Sequence, residues 1–142
     1  DREEFATGEA IPEADEVLHC EVGEIPELVN ITAQTYIVFT TRGVEIDVDG
    51  LPGLISSPAA YLGVIGSRRR WEVCTEQLHE NGISKEQLSA IHSPVGLELN
   101  AETPREIAVS ILAEIIMTQH GGTGESKKHT PTMGSSRRTT KT

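Results

Sequence analysis

Ten residues, Tyr61-Leu62-Gly63-Val64-Ile65-Gly66-Ser67-Arg68-Arg69-Arg70, place three consecutive arginines directly after an apolar run, a glycine and a serine. If Tyr61 to Ile65 is a strand and Ser67 caps the helix that follows, Gly66 makes the close turn and the arginines fall in the first helical turn. Cations there oppose the helix macrodipole, costing about 0.3–1 kcal/mol each at exposed positions, so helix stability does not account for them. An anion in that corner reverses the sign. Exposed helix amides, the Ser67 hydroxyl and a bidentate guanidinium together make a site suited to phosphate. Gly66, Ser67, Arg68 and Arg69 are therefore the expected ligand residues, while Arg70 can equally point away. The competing reading is that the arginines solvate the surface or pair with an acidic body.

Two other loops reach the same rim. Thr40-Thr41-Arg42-Gly43 ends one strand candidate and offers Arg42. Leu99-Asn100-Ala101-Glu102-Thr103-Pro104 ends another and delivers a helix amino terminus, with Asn100, Glu102 and Thr103 as further ligand-loop candidates. For Glu102 and Glu106, capping and solvation outweigh catalysis. His92 precedes a strand candidate, which puts it on the amino-terminal side of the sheet as a structural histidine. Cys20 and Cys74 lack any CxxC partner or regular His spacing, so two buried free thiols are expected rather than a zinc knuckle or a disulfide framework.

The elements that must position these loops alternate. Strand candidates are Val17–Cys20, Thr35 to Gly43, the Tyr61 run, and Pro94–Leu99, each a short apolar stretch. Ser67 opens a helix to about Glu80, stopped by Asn81-Gly82. Ser84 with Gln87 reads as a capping box for a short helix through Ile91, and Thr103 with Glu106 as another, with Pro104 at the first helical position. Ile107, Ile111, Leu112 and Ile115 form the apolar stripe of that last helix, which Gly121-Gly122 ends. Asp47 to Ile55 stands where a further helix belongs, yet Gly50, Pro52 and Gly53 make it a poor one. Continuous apolar strands alternating with helices imply an α/β fold with a mostly parallel sheet covered on both faces, whose ligands bind beyond the carboxyl ends of the strands.

The 142 residues allow one domain. The net charge is −10; five of the 12 Lys/Arg and one of the 22 Asp/Glu follow His120, so residues 1–120 carry a balance of −14. So acidic a body disfavours a nucleic-acid partner, and its few cations gather in the arginine run. No apolar run is long enough to span a bilayer and no signal peptide opens the chain, which predicts a cytoplasmic protein without a membrane partner. Residues 121–142, rich in Gly, Ser, Thr and Lys, are expected to form a disordered basic tail.

The runs "YLGVIGSRRR", "IHSPVGLELNAETPREIAVSILAEII" and "DREEFAT...PEADEV", in that spacing over about Asp1 to His120, resemble the carboxyl-terminal Rossmann-like domain of the XdhC/CoxI family, accessory proteins of xanthine dehydrogenase and related molybdenum hydroxylases. The resemblance implies a partial Rossmann-like three-layer domain over residues 1–120, lacking its first two strands. It also implies a noncatalytic chaperone that binds molybdenum cofactor (molybdopterin), promotes its sulfuration by a cysteine desulfurase and delivers it to an apo molybdenum hydroxylase of the xanthine or carbon monoxide dehydrogenase type. The family's Ile-Gly-Ser-Arg-Arg motif falls on Ile65 to Arg69. Its Pro-x-Gly-Leu and Thr-Pro-x-Glu-Ile motifs fall on Pro94, Gly96, Leu97, Thr103, Pro104, Glu106 and Ile107. Where the family usually reads Asp-Ile-Gly-Ala, this chain has Glu98-Leu99-Asn100-Ala101. Missing strands would leave an open sheet edge, so a homo-oligomer or an upstream complementing chain is expected. The alternatives are an NAD(P)-binding oxidoreductase fragment, disfavoured because no G-x-G-x-x-G is present, and a degenerate remnant that binds nothing.

Overall fold

A computed structural model describes residues 2–129. Two of the apolar runs become strands, β1 (Tyr36–Phe39) and β2 (Tyr61–Val64), paired in parallel with Tyr36 opposite Tyr61 and Phe39 opposite Val64. A parallel pair needs a crossover, and helix α2 (Val44–Ile55) supplies it. All four β2 residues are buried, whereas β1 pairs with β2 alone and leaves Val38 exposed. This is the parallel α/β arrangement expected, reduced to two strands among the described residues.

Helix α2 corrects the sequence reading of Asp47 to Ile55 as a poor helix. Its glycines are contact points: a Cβ at Gly50 would lie 2.5 Å from the Val22 side chain, and one at Gly53 would lie 3.0 Å from Pro26. A turn at Val22–Glu24 and the short helix α1 (Ile25–Leu28) pack there. Tertiary contact therefore outweighs the propensity cost of about 1 kcal/mol per glycine.

Helix α3 (Arg68–Glu80) follows β2 and packs on α2, with Leu51, Leu54, Cys74 and Leu78 joining Phe39, Leu62 and Val64 in one core. Ser67 caps it, Asn81 ends it, and α4 (Lys85–Ser89) carries the Ser84/Gln87 capping box. Helix α5 (Pro104–His120) has the Thr103/Glu106 box at its start and left-handed Gly121 at its end.

Three further expectations are corrected. Val17–Cys20 is irregular, because a strand without a neighbour has no ladder to satisfy its backbone. Pro94–Leu99 is not a strand either: Gly96 takes φ +100°, and Leu97 bonds to Ser110 of α5 instead, leaving a single parallel bridge from His92 to Gly63. On α5, Ile111 is buried and Ile107 and Ile115 are half-buried, but Leu112 is 58% exposed; Ser110 and Glu114 are buried on the inward face instead. Both cysteines are free, with Cys74 buried and Cys20 only half-buried. Residues 121–129 contain no helix or strand beyond the turn that ends α5, and the rest of the expected tail, 130–142, lies outside the described residues. No helix among the described residues is long and apolar enough to cross a membrane.

Candidate functional site

The turn from β2 into α3 is built as its residue types require. Gly66 has φ +153°, a region L side chains rarely adopt, and a Cβ there would press within 3.3 Å of the Arg70 side chain. The Ser67 hydroxyl accepts from the Arg70 amide at 3.2 Å. That leaves the Arg68 and Arg69 amides at the helix terminus without an intrahelical partner.

The three arginines then divide. Arg70 turns inward: its Nε and Nη2 donate to the Asp47 carboxylate of α2 at 2.7–2.9 Å, and its Nη1 donates to the Thr41 carbonyl at 3.1 Å. Thr41 closes the knot, its hydroxyl accepting from Arg70 at 2.6 Å and donating to Asp47. Asp47 is only 1% exposed, so Arg70 is the counter-ion of a buried carboxylate that ties α3 to α2 and to the loop after β1. Beneath it, burial pushes the Cys74 thiol up to about 11; the Asp47 charge adds to the rise and Arg70 opposes it. Arg68 and Arg69 are exposed and make no hydrogen bond or ion pair among the described residues.

The remaining expected site residues fall into two groups. Arg42 follows β1 and lines a cleft beside this corner. Asn100 and Glu102 line a different depression, with Leu99, Ala101, Glu106 and Val109. Neither of these two, nor Thr103, bonds to Ser67, Arg68 or Arg69. Asn100 takes φ +53°, the left-handed conformation that favours glycine and that asparagine tolerates better than most residues. Thr103 is a cap: its hydroxyl accepts from the Glu106 amide, while the Glu106 carboxylate accepts from the Glu102 and Thr103 amides at 2.9 Å. The Thr103 and Glu102 amides hold the Glu106 carboxyl below its ordinary range.

A second polar cluster, not anticipated as a unit, lies at the amino end of β2. Tyr61 donates its hydroxyl to Glu114 Oε1 at 2.8 Å, and His92 Nδ1 lies 2.9 Å from the same oxygen. The Tyr61 and His92 rings are 4.6 Å apart. Burial, the hydrogen bond to Glu114 and its charge together hold the Tyr61 hydroxyl well above the usual phenol range. The available signals were His92 on the amino-terminal side and a glutamate, Glu114, between Ile111 and Ile115.

Two unpaired guanidinium groups, two free helix amides and a serine turn fit the phosphate end of a cofactor. No group of three or more His, Cys, Asp or Glu among the described residues could ligate a metal ion directly.

A family model described as the XdhC Rossmann domain matches residues 1–115. The uncharacterized protein YqeB of Escherichia coli K12 is 36% identical over 117 residues, covering 82% of this chain and 21% of YqeB. The molybdenum cofactor insertion chaperone PaoD of the same organism is 29% identical over 85 residues, 60% of this chain and 27% of PaoD. The crystal structure of a xanthine dehydrogenase from Bacillus halodurans superimposes with a TM-score of 0.70 at 27% identity, over 84% of this chain and 35% of that one. The chain thus spans about a fifth to a third of the relatives it matches.

Proposed function

Because the chain belongs to the XdhC family, matching its Rossmann domain, we propose that it is a binding module of molybdenum cofactor maturation, holding the cofactor's phosphate at Ser67, Arg68 and Arg69. The observation that carries this is the pair of exposed arginines without partners among the described residues at a helix amino terminus, where an anion turns an unfavourable charge arrangement into a favourable one. The similarity to PaoD, an insertion chaperone by name, supports the same class of ligand. The module carries the cofactor without catalysis, presents it to a cysteine desulfurase for sulfuration and passes it to an apo molybdenum hydroxylase of xanthine or carbon monoxide dehydrogenase type. The open edge of β1 is where a second copy or a complementing chain would add a strand.

Equilibrium binding of purified molybdopterin cofactor, with NADPH as competitor, tests the reading. Arg68→Ala and Arg69→Ala should each weaken cofactor binding at least tenfold and flatten its salt dependence, with NADPH a poor competitor. Unchanged affinity in both variants removes these residues from the site, and preferential binding of NADPH points to the nicotinamide alternative.

A further inference from the structure

Helix α5 inverts the usual distribution of its side chains. Between Ile107 and Met117 its polar residues, Ser110 and Glu114, both face inward: Ser110 donates to the Leu97 carbonyl at 2.6 Å and Glu114 accepts from Tyr61 at 2.8 Å. The outer face is apolar instead. Val109, Leu112 and Ile116 are 59%, 58% and 56% exposed, with Ala108 exposed beside them. Leu99, also exposed, lines a depression with Val109 and extends the patch. Single apolar side chains on a surface need no explanation, but a contiguous row along one helix marks an interaction face. A helix apolar on the side away from its own domain belongs between two layers.

The spacing and the charges of the row say what fits it. From Arg105 through Val109, Leu112 and Ile116 to Gln119 the steps are four, three, four and three residues, the repeat of a helix–helix seam. No exposed residue between Glu106 and His120 is charged, so charge stands only at the ends of the seam: Glu102, Arg105 and Glu106 at its start, His120 at its close. Glu106 and His120 are 14 positions apart, close to four full turns, which puts them on the same flank of the row. A second copy laid antiparallel therefore sets Glu106 against the other copy's His120, a hydrogen-bond donor to carboxylate in either protonation state, and does so at both ends at once. Arg105 then meets the negative pole of the facing helix, and the two macrodipoles oppose. A parallel copy would instead stack Glu106 on Glu106. We propose that the outer face of α5 is a contact between two copies of this chain, paired antiparallel about a two-fold axis at Ala113, whose small side chain lets the helices approach. This surface is separate from the Ser67 corner and from the open edge of β1.

Sedimentation equilibrium of the full chain over a concentration series tests this. The unsubstituted chain should form a reversible dimer. Leu112→Glu, at an exposed position, should weaken association at least tenfold, and His120→Glu, which sets acid against acid at both ends, at least threefold, more at low salt than at high. Arg68→Ala should leave association unchanged, as should Val38→Lys, which blocks strand addition at the edge of β1. Ala113→Cys, placed on the two-fold axis, should give an intermolecular disulfide under mild oxidation that the unsubstituted chain, with Cys20 and Cys74 alone, does not. Circular dichroism checks that each variant keeps its helices; should Leu112→Glu not fold, the Ala113→Cys cross-link decides. A chain that stays monomeric at every concentration overturns the proposal and leaves the face to a different protein. A dimer abolished by Val38→Lys but not by Leu112→Glu overturns it in favour of the β1 edge, and a dimer that Ala113→Cys does not cross-link rules out the antiparallel seam.

Discussion

The carboxyl and amino ends of the sheet each bury one carboxylate, and they answer it differently. At the carboxyl end Asp47 meets the Arg70 guanidinium, with Thr41 completing the shell. At the amino end Glu114 meets a phenol and an imidazole, the Tyr61 hydroxyl and His92 Nδ1. The first arrangement uses one cation for architecture and leaves Arg68 and Arg69 beside it exposed and without an ion pair among the described residues. The second is closed upon itself and fastens α5 to β2. The difference is that one end carries a structural ion pair beside exposed arginines, while the other closes its carboxylate among neutral partners of the fold.

Breaking the carboxyl-end knot should have the largest effect. Arg70→Met keeps the length of the side chain but strands a buried carboxylate, and should cost about 3–5 kcal/mol in urea denaturation. Adding Asp47→Leu should restore much of the loss, since the stranded charge is then gone. Arg68→Ala, two positions away, should move stability by no more than about 0.5 kcal/mol. An Arg70→Met variant as stable as Arg68→Ala would erase the distinction between the architectural arginine and its exposed neighbours. At the other end, Glu114→Leu leaves the Tyr61 hydroxyl and the His92 ring without an acceptor. It should cost about 1–3 kcal/mol, less than Arg70→Met because no buried charge is stranded. Hydrogen exchange should then speed up in α5 before it does in α3; equal protection of both helices would contradict the fastening role.

How much of this could be read in advance depended on how far apart the interacting residues lie in the chain. The caps at Ser67, Ser84 and Thr103 were legible because each rests on a residue three positions on. β1 and β2 were legible as apolar runs closed by glycine. Helix α2 was not, because the penalty of Gly50 is offset by Val22, 28 positions upstream. The division of the arginine run was legible only as an ambiguity: helical geometry says one residue will point elsewhere, but it takes Asp47, 23 positions away, to choose Arg70. Val17–Cys20 and Pro94–Leu99 have strand-like composition, yet pairing is decided by neighbours that composition does not reveal. The Tyr61–Glu114 bond spans 53 positions and carries no local signature.

The smallest effect gives the finest test of the amino-end cluster, because its sign changes with pH. At neutral pH Tyr61→Phe removes one hydrogen bond to Glu114 and should cost about 0.5–1.5 kcal/mol. The Tyr61 hydroxyl titrates far above its ordinary value in the folded chain, whereas in the unfolded chain it ionises near pH 10. Between those two values the folded state holds a proton that the unfolded state has released, so stability falls as pH rises, by about 1.4 kcal/mol per pH unit. Phenylalanine has no such proton. The wild-type advantage over Tyr61→Phe should therefore be constant below about pH 9, shrink through pH 10 and reverse about one unit higher. Cys74, raised to about 11 by burial, adds its own alkaline loss, but both proteins carry it and it drops out of the difference. Paired urea titrations from pH 7 to 11 would measure that difference directly. A gap that stays constant through pH 10 would mean that Tyr61 ionises as easily in the folded chain as in the unfolded one, which the burial of its hydroxyl against Glu114 forbids.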